Sequence, residues 1–410
     1  MTTNPDRVRV LYSFPHKLGA GRICHIAWQQ VNGLARNRAD VLACPGVLHR
    51  PVDPAVRVQP TLSRGKLRLP YRVLGMARAC ELHDWIVARR LEKLRGQIDI
   101  VHCWPIGALR TLRTAARLGI PTVLERPNAY TRYVYEVVQR ECDRLGVKLP
   151  PDHHDAYQEN VLAREEEEYR LATKLLCPSD FVMRTFLDAR YPREQLARHQ
   201  YGFDAERFHP ALEQRAEGAG LTMLFVGLCA PKKGLHYALE AWLRSPAHRY
   251  GKFVIAGEFL PAYREKLAPM LADPSVRVLG QRSDVPELMR QSDILVLPTV
   301  EEGSALVTSE ARGSGCVLVV SEAAGAVCEH MKNALVHRVG DVEALTNHIT
   351  LLHEDGVLLK RLRAASLADA ASITWDAAGV KLLDVYRSTL AQYPTRGKLV
   401  AAGVSKDQPW

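Results

Sequence analysis

Short apolar runs alternate with helical patterns along nearly the whole chain, in two series. Runs of this length, bounded by polar or turn residues, are typical of strands buried on both faces. The runs of the first series lie at residues 8–13, 40–44, 98–104, 121–125 and 174–179, and those of the second at 221–227, 252–257, 275–280, 293–298, 316–321 and 334–339. Strands that alternate with helices in this way form parallel sheets covered on both faces, so the pattern predicts an α/β fold.

A polar segment near residue 202 separates the two series. It reads "YGFDAERFHPALEQRAEGAG" and contains several Gly and Pro residues, which suits a linker. The chain of 410 residues is also longer than one ordinary domain. We therefore predict two doubly wound, Rossmann-like domains, residues 1–205 and 206–375. Ligands of such sheets bind at the carboxyl ends of the strands, so the cleft between the domains is the expected site.

Composition and cysteine placement indicate a soluble globular protein. Hydrophobic residues make up 47% of the chain and charged residues 24%. The sequence contains no apolar stretch of about 18 residues, and the N-terminus lacks the apolar region of a secretory signal, so a cytoplasmic location is expected. The nine cysteines form no CxxC pair. We interpret them as reduced core thiols rather than as disulfides or zinc ligands.

Basic side chains are concentrated in residues 50–117, which hold 14 Lys and Arg against 5 Asp and Glu in a chain of net charge +10. Such a surplus suits an anionic membrane surface, an acidic substrate or nucleic acid, and a solvated helix face explains it equally well. Nucleic acid is disfavoured because aromatic and basic residues are not interleaved. The four glutamates at 165–168 are expected on a solvated helix face.

Two carboxylates, Glu302 and Glu310, follow the strand-like run "DILVLP". A helix that begins near Gly303 and Ser304 would present free amides and the positive end of its dipole to an anion such as a diphosphate. Carboxylates accept paired hydrogen bonds from vicinal hydroxyls, so Glu310 suits a ribose and Glu302 a sugar beyond the phosphates. Two ordinary glutamates on a surface helix are the alternative that spacing alone leaves open.

Two further loops have features of a phosphate site. Lys232 and Lys233 precede a predicted helix, where a lysine could neutralise phosphate. Gly19 and Gly21 in "LGAGRICH" would let backbone approach a ligand across the cleft. This loop is not the GxGxxG of dinucleotide enzymes, which disfavours a nicotinamide dehydrogenase. The segment "DHHD" at 152–155 lacks the helical spacing of metal-ligand pairs, so no metal is expected.

The second half resembles a known family over about residues 200–390. The segments that carry the resemblance are "FVG", "KKGLHYALEAW", "FVIAGEF" and the stretch from "VRVLGQRSDVPEL" to "SEAAGA", with Glu302-x7-Glu310 at its centre. They are similar to the retaining glycosyltransferases of family four, which have the GT-B fold. "ITWDAAGVKLLDVYRSTL" resembles the C-terminal helix of that family, which implies a helix at 376–395 that returns to the first domain, followed by a tail at 396–410.

The resemblance implies a role for each residue that matches the motif. Glu310 would bind the nucleotide ribose, Glu302 the donor sugar and Lys233 the diphosphate. Family members commonly have an arginine where this chain has Leu228, and Lys232 could compensate only in part because a lysine is a point charge. The amides expected near the donor are those of Gly303, Ser304, Ala305 and Leu306.

The acceptor side departs further from the family. Where many members have His-x-His, this chain has His102-Cys103-Trp104, and the following strand ends in Glu125 rather than histidine. His102 is either a catalytic residue or a buried core histidine, and Trp104 either stacks on a sugar or belongs to the core. Glu125 is the polar group that we expect to face the reacting centre.

The expected function is transfer of a sugar from a nucleotide diphosphate sugar, with UDP, GDP or another nucleotide, to a saccharide hydroxyl. Retention of configuration and independence from metals and cofactors come with the resemblance, since family members are thought to use the departing phosphate as the base. A lipid-linked or envelope polysaccharide acceptor is expected, with residues 50–117 against the inner face of the membrane. The alternatives are a soluble acceptor and a sugar-nucleotide epimerase of the same fold.

Overall fold

Two parallel sheets form the framework of the protein in a computed structural model, which describes residues 7–64, 67–68, 75–211 and 220–393. Residues 65–66 and 69–74 of the basic segment 50–117, residues 212–219 of the linker and the tail 396–410 lie outside the described residues. Over the residues that are described, we find no helix with the length and apolar character needed to span a bilayer.

The first sheet contains seven strands, all parallel where their pairing is described. Its strands are β1 (Arg9–Leu18), β2 (Asp40–Leu48), β3 (Arg57–Val58), β6 (Ile100–Cys103), β7 (Thr122–Glu125), β8 (Lys174–Cys177) and β9 (Leu196–Arg198), and β4 (Ser63–Arg64) and β5 (Leu67–Arg68) form a separate antiparallel pair. The order in the sheet is β3-β2-β1-β6-β7-β8-β9. The order reverses direction at β1 and β6, where a doubly wound sheet opens a crevice for ligands.

Helices connect these strands and cover both faces of the first sheet. They are α1 (Ile23–Arg36), α2 (Met76–Lys93), α3 (Leu109–Leu118), α4 (Thr131–Leu145), α5 (Glu159–Leu171) and α6 (Asp180–Asp188). The central strands are buried almost throughout, because helices pack on both sides of them. This explains why the strands have nearly continuous apolar sequences rather than alternating ones.

The second half repeats this architecture with six parallel strands. The strands are β10 (Thr222–Val226), β11 (Lys252–Ala256), β12 (Val276–Gly280), β13 (Ile294–Leu297), β14 (Val317–Ser321) and β15 (Ala334–His337), in the order β12-β11-β10-β13-β14-β15. The helices are α7 (Leu235–Arg244), α8 (Pro261–Leu271), α9 (Val285–Arg290), α10 (Leu306–Gly313), α11 (Val342–Glu354) and α12 (Gly356–Ala368). The predicted α/β class with two doubly wound parallel sheets is confirmed.

The last described helix, α13 (Trp375–Gln392), returns to the first domain as the resemblance implied. Thr374 caps it by accepting a hydrogen bond from the Ala377 amide at 3.3 Å. The helix packs closely on α1, where a Cβ placed on Gly33 would lie 3.2 Å from the Gly379 Cα. Further along, the Tyr386 hydroxyl lies 2.6 Å from His102 Nδ1, which ties the end of the chain to the first sheet.

Helix α4 also joins the two domains, from the opposite direction. Leu145 and Val147 at its end belong to the apolar core of the second domain. Nearby, His236 Nε2 lies 2.7 Å from Glu141 Oε1, and the Tyr237 hydroxyl donates to Glu141 Oε2 at 3.0 Å. Polar and apolar contacts of this kind hold the domains against each other beside the cleft.

The expectation of a solvated run at 165–168 is wrong for two of its members. Glu168 is fully buried and accepts hydrogen bonds from the Ile106 and Ala108 amides at 2.8 and 3.1 Å. Glu165 is buried against Arg126, 3.2 Å away. These carboxylates support the loop after β6 and the segment after β7, so they help to position the cleft wall.

Candidate active site

The segment between β13 and α10 lies at the carboxyl edge of the second sheet. Helix α10 begins at Leu306, slightly later than predicted, because Gly303 and Ser304 form part of the preceding loop. Gly303 packs against the first domain: a Cβ added to it would lie 1.7 Å from the Pro127 carbonyl oxygen. The absence of a side chain at Gly303 therefore lets two segments of the protein meet, in place of the close ligand approach expected from the sequence.

The amides predicted to face an anion are not all free. The Ala305 amide donates to the Ala324 carbonyl at 3.2 Å, and the Ala305 carbonyl accepts from the Thr308 amide at 3.0 Å. Ala305 therefore closes the first turn of α10 and links it to the segment after β14. An anion at this helix end would use the neighbouring amides together with the helix dipole.

A cavity of about 350 Å³ joins the two domains at this edge. From the first domain, Gly19, Gly21 and Arg22 line it, and from the second, Leu306 and Glu310 do so. The structure thus brings together the glycine loop and the second glutamate, which are almost 300 residues apart in the sequence. The remaining lining residues include His25, His49, Arg50, Asp204, Arg207, Phe208 and Trp375.

Glu310 presents its carboxylate to this cavity. Among the described residues, no side chain or amide makes a hydrogen bond or ion pair with that carboxylate. Burial raises the pKa of Glu310 to about 7, and the charge of Arg207 only partly opposes the effect. A half-buried carboxylate with free lone pairs is suited to accept hydrogen bonds from ligand hydroxyls.

Glu302 and Lys233, which were predicted to contact the donor sugar and the diphosphate, form an ion pair. The Lys233 ammonium contacts Glu302 Oε1, and both side chains are largely buried. Lys233 ends the short turn Pro231–Lys233 after β10, while Glu302 follows β13, and these two strands are neighbours in the sheet. The predicted diphosphate and sugar contacts are therefore adjacent, but each already has the other as a partner.

Lys232 occupies a different environment from the one predicted. Its ammonium lies 2.7 Å from Glu301 Oε2 and 3.1 Å from Asp155 Oδ1, and the residue is buried. Glu301 also accepts a hydrogen bond from the Ala129 amide at 2.9 Å. Lys232 therefore connects the two domains instead of pointing a free charge at a ligand.

The "DHHD" segment lies beside this ion pair. Potential ligand atoms of His153, His154 and Asp155 lie within 4.8 Å of one another. A cation bound there would stand close to the Lys232 ammonium, which already neutralises Asp155, and repulsion between the two charges would oppose its binding. The geometry agrees with the segment having a structural role in the contact between domains.

Glu125 lies beneath the cleft rather than facing it. It is fully buried and accepts hydrogen bonds from Gln30 at 2.7 Å and from Tyr201 at 2.9 Å, with His199 Nε2 also 2.9 Å away. Burial acts to raise the pKa of Glu125, but the charge and hydrogen bond of His199 outweigh it and lower that pKa. The expectation that Glu125 faces the reacting centre therefore needs correction, because no part of the side chain is accessible to a substrate.

His102 and Trp104 belong to the same buried layer. The His102 ring stacks on Tyr12 with centroids 4.3 Å apart, and burial lowers its pKa to about 3. The Trp104 indole donates to the Tyr12 hydroxyl at 2.8 Å. Of the two interpretations that the sequence left open for each residue, the structure places both in the core.

Comparison with known proteins identifies the family. A model described as "Glycosyl transferases group 1" matches residues 220–355. The UDP-Gal:alpha-D-GlcNAc-diphosphoundecaprenol alpha-1,3-galactosyltransferase of Escherichia coli is 30% identical over 289 residues, which are 63% of this chain and 67% of that protein. The chain belongs to the group 1 glycosyltransferases. The D-inositol 3-phosphate glycosyltransferase of Salinispora tropica is 26% identical over 348 residues, 77% of this chain and 69% of that one.

Solved structures place this glycosyltransferase in the GT-B fold. HepE of Anabaena in complex with UDP superposes with a TM-score of 0.63 at 17% identity, covering 93% of this chain and 100% of that one. The sucrose-phosphate synthase of Thermosynechococcus elongatus gives a TM-score of 0.69 at 15% identity, covering 94% and 100%. The resemblance noted from the sequence is confirmed at the level of family and fold.

Several residues of the site in this glycosyltransferase carried no clear signal in the sequence. Arg22 directly follows the glycine loop and could have been included with it. Asp155 was considered only as a metal ligand, while Gln30, His199 and Tyr201 are ordinary polar residues far from Glu125 in sequence. Only the folded arrangement shows that they act together.

Proposed function

We propose that this glycosyltransferase is a retaining enzyme that binds a nucleotide diphosphate sugar in the cavity between its domains. The observation that carries the proposal is the unpartnered Glu310 carboxylate opposite the Gly19–Gly21 loop, in one cavity of about 350 Å³. A nucleotide ribose offers the vicinal hydroxyls that this carboxylate can accept. The UDP complex of the HepE structure supports a nucleoside diphosphate as the donor class.

The ion pair of Lys233 and Glu302 suits the reacting end of the donor. Negative charge develops on the diphosphate as the glycosidic bond breaks, and a positive group fixed beside it stabilises the transition state. When the donor binds, Lys233 would exchange its contact with Glu302 for the phosphate, and Glu302 would accept hydrogen bonds from the sugar. The departing phosphate oxygen would take the acceptor proton, which requires neither a metal nor a protein base.

The burial of the two groups predicted to act on the acceptor side agrees with this scheme. Among the described residues, Glu125 and His102 are the acids and bases expected on the acceptor side, and both are fully buried. Glu125 and His102 hold the end of β7 and helix α13 in place, and they do not exchange protons with substrate. Retention then follows from attack on the same face as the departing phosphate.

A lipid-linked saccharide is the acceptor that we propose. The Escherichia coli relative acts, by its name, on a diphosphoundecaprenol-linked sugar. In this chain Trp85 on α2 is 46% exposed, its ring lies 5.5 Å from the Arg89 guanidinium, and residues 78, 85 and 89 share one face of the helix. An exposed tryptophan among arginines suits the interface of an anionic membrane, so the enzyme would act as a peripheral protein on its inner face.

A soluble acceptor is the second candidate, because two relatives are named as acting on D-inositol 3-phosphate. Incubation with UDP- and GDP-sugars, and separately with a polyprenyl diphosphate-linked sugar or inositol phosphate, tests both. The proposal predicts transfer to the lipid-linked acceptor in the presence of EDTA, with the anomeric configuration of the donor retained in the NMR spectrum of the product. Inversion, a requirement for metal, or an epimerised sugar nucleotide without transfer would contradict it.

A further inference from the structure

The two lysines of the second domain that the sequence predicted for the diphosphate are already matched by carboxylates. Lys232 is held between Asp155 and Glu301, and Lys233 contacts Glu302. Neither cluster brings net positive charge to the cavity, whereas a nucleoside diphosphate carries at least two negative charges at neutral pH. Binding of such an anion therefore calls for a further cation.

Three arginines line the cavity, and they differ in their surroundings. The Arg50 guanidinium stacks over the Trp28 ring at 5.0 Å, and the Arg207 guanidinium lies 5.5 Å from the Phe208 ring and on the side of Glu310. Arg22 also lines the cavity, but with the described part of the chain its side chain makes no hydrogen bond, ion pair or ring contact. An arginine that faces a cavity without a partner is available to a ligand.

Arg22 lines the cavity, and its charge acts on Lys233. Burial, the adjacent Lys232 and, to a smaller extent, Arg22 lower the pKa of Lys233 to about 7, while Glu301 and Asp155 oppose the shift. Arg22 also contributes to lowering the pKa of His154, after burial and its nearer neighbours. The charge of Arg207 acts on Glu310 instead, while both arginines line the same cavity.

The backbone at Arg22 supports a specific placement. Its φ is +58° and ψ −134°, an unusual conformation for a residue other than glycine, at the position that precedes α1. Arg22 joins the Gly19–Gly21 loop to α1, and it lines the cavity between the domains. Helix α1, with 14 residues, begins directly after Arg22, so the positive end of its dipole adds to the charge of the arginine.

We infer that the Arg22 guanidinium binds the diphosphate of the donor across the cleft. It would replace the arginine that family members commonly have on the second domain, where this chain has Leu228. The inference rests on the proposed function, since it assumes that the cavity takes a nucleoside diphosphate. A guanidinium can bind phosphate oxygens through two parallel hydrogen bonds, which the lysines cannot do. Because Arg22 belongs to the first domain, diphosphate binding would also draw the two domains together.

The test compares Arg22→Ala with Arg38→Ala by isothermal titration with UDP and with uridine, and with GDP and guanosine if the uracil pair does not bind. Arg38 is a matched control because it is also exposed, also has a positive φ (65°), and lies beyond the other end of α1. Arg22→Ala should weaken diphosphate binding by about tenfold or more and leave nucleoside binding unchanged. Arg38→Ala should change neither.

Three results would overturn the inference, and only one of them would also overturn the proposed function. Equal diphosphate affinity in Arg22→Ala and Arg38→Ala, with tight binding by the unaltered protein, would remove the role of Arg22 and leave the proposed function standing. Binding of no nucleoside diphosphate by the unaltered protein would overturn both. An equal loss of UDP and uridine affinity in Arg22→Ala would show that the residue does not act on the diphosphate.

Discussion

At the scale of single residues, the free protein keeps Glu310 in an unfavourable environment. Burial raises the pKa of this carboxyl to about 7, well above its ordinary value near 4.5, and described residues supply no hydrogen bond to offset it. A carboxylate that is shielded from water without a hydrogen-bond partner destabilises the folded state, and only a ligand can supply its partners. Such perturbed groups in a cleft are typical of binding and catalytic sites.

This environment predicts a pH-dependent affinity for nucleosides. Ribose hydroxyls donate to the ionised carboxylate, so binding favours the charged form, and below pH 7 the site must first lose a proton. Uridine or guanosine affinity, whichever nucleoside binds, should therefore fall by up to about tenfold per pH unit below pH 7 and be constant above pH 8. Titration calorimetry from pH 5.5 to 8.5 measures this, and a nucleoside avoids the titration of a free phosphate.

The control for that measurement is Glu310→Gln, which keeps the shape of the side chain and removes its charge. The variant should bind the nucleoside more weakly at pH 8 and with little dependence on pH. If Glu310→Gln shows the same pH profile as the unaltered protein, a different group controls the binding and the assignment of Glu310 to the ribose is wrong.

Replacing Glu125 gives a second prediction for a single residue. A buried positioning residue should affect the free energy of unfolding, whereas a residue at the reacting centre should affect transfer alone. Glu125→Ala leaves Gln30, His199 and Tyr201 without their common acceptor, so the free energy of unfolding should fall by about 3 kcal/mol or more. Urea unfolding of the variant checks this. An unchanged stability with loss of transfer would instead restore Glu125 to the reacting centre.

At the scale of secondary-structure elements, the alternation of apolar runs predicts all strands of both sheets except the short edge strands β3 and β9. All eleven predicted runs contain strands, because helices bury both faces of each sheet and leave a continuous apolar sequence. The start of α10 was predicted too early, since Gly303 was interpreted as an opening for ligand. Its close contact with Pro127, in the other domain, could not be predicted from local sequence.

The dependence on contacts distant in sequence also explains why the surroundings of several charged residues were predicted wrongly. A run of glutamates in a helical segment is usually solvated, yet Glu165 and Glu168 contact partners that lie 39 to 62 residues away in the sequence. Lys232 was predicted to face phosphate because of its neighbours in sequence, whereas its partners Asp155 and Glu301 come from separate loops. Residue type indicated the chemistry in each case, and only tertiary contact decided the partner.

The contact at Gly303 gives a prediction for the element that carries both glutamates. A methyl group there would collide with the Pro127 carbonyl, so Gly303→Ala should push the loop before α10 away from the first domain. We expect a loss of about 2 kcal/mol or more in stability and a strong reduction in transfer. Gly356→Ala, where an added Cβ meets nothing within 4 Å, is the control and should be near neutral in denaturant unfolding.

At the scale of the whole molecule, the cleft combines parts that neither domain holds alone. The first domain contributes the glycine loop and Arg22, the second contributes Glu310 and the Lys233–Glu302 pair, and α13 places Trp375 at the same cavity. Ion pairs and apolar contacts along α4 and the Asp155 loop keep these parts close together. The fold therefore positions a preformed cavity, and under the proposed function the donor would exchange the Lys233–Glu302 ion pair for contacts of its own.

The central claim is that this cavity binds a nucleoside diphosphate through Glu310. The most direct measurement is a thermal-shift panel with UDP, GDP, ADP, TDP and their common sugars on the unaltered protein, Glu310→Ala and Glu302→Ala. The account predicts that one nucleotide class stabilises the unaltered protein and Glu302→Ala, and that Glu310→Ala loses this stabilisation. Equal stabilisation of Glu310→Ala, or none of the unaltered protein by any nucleotide, would contradict it.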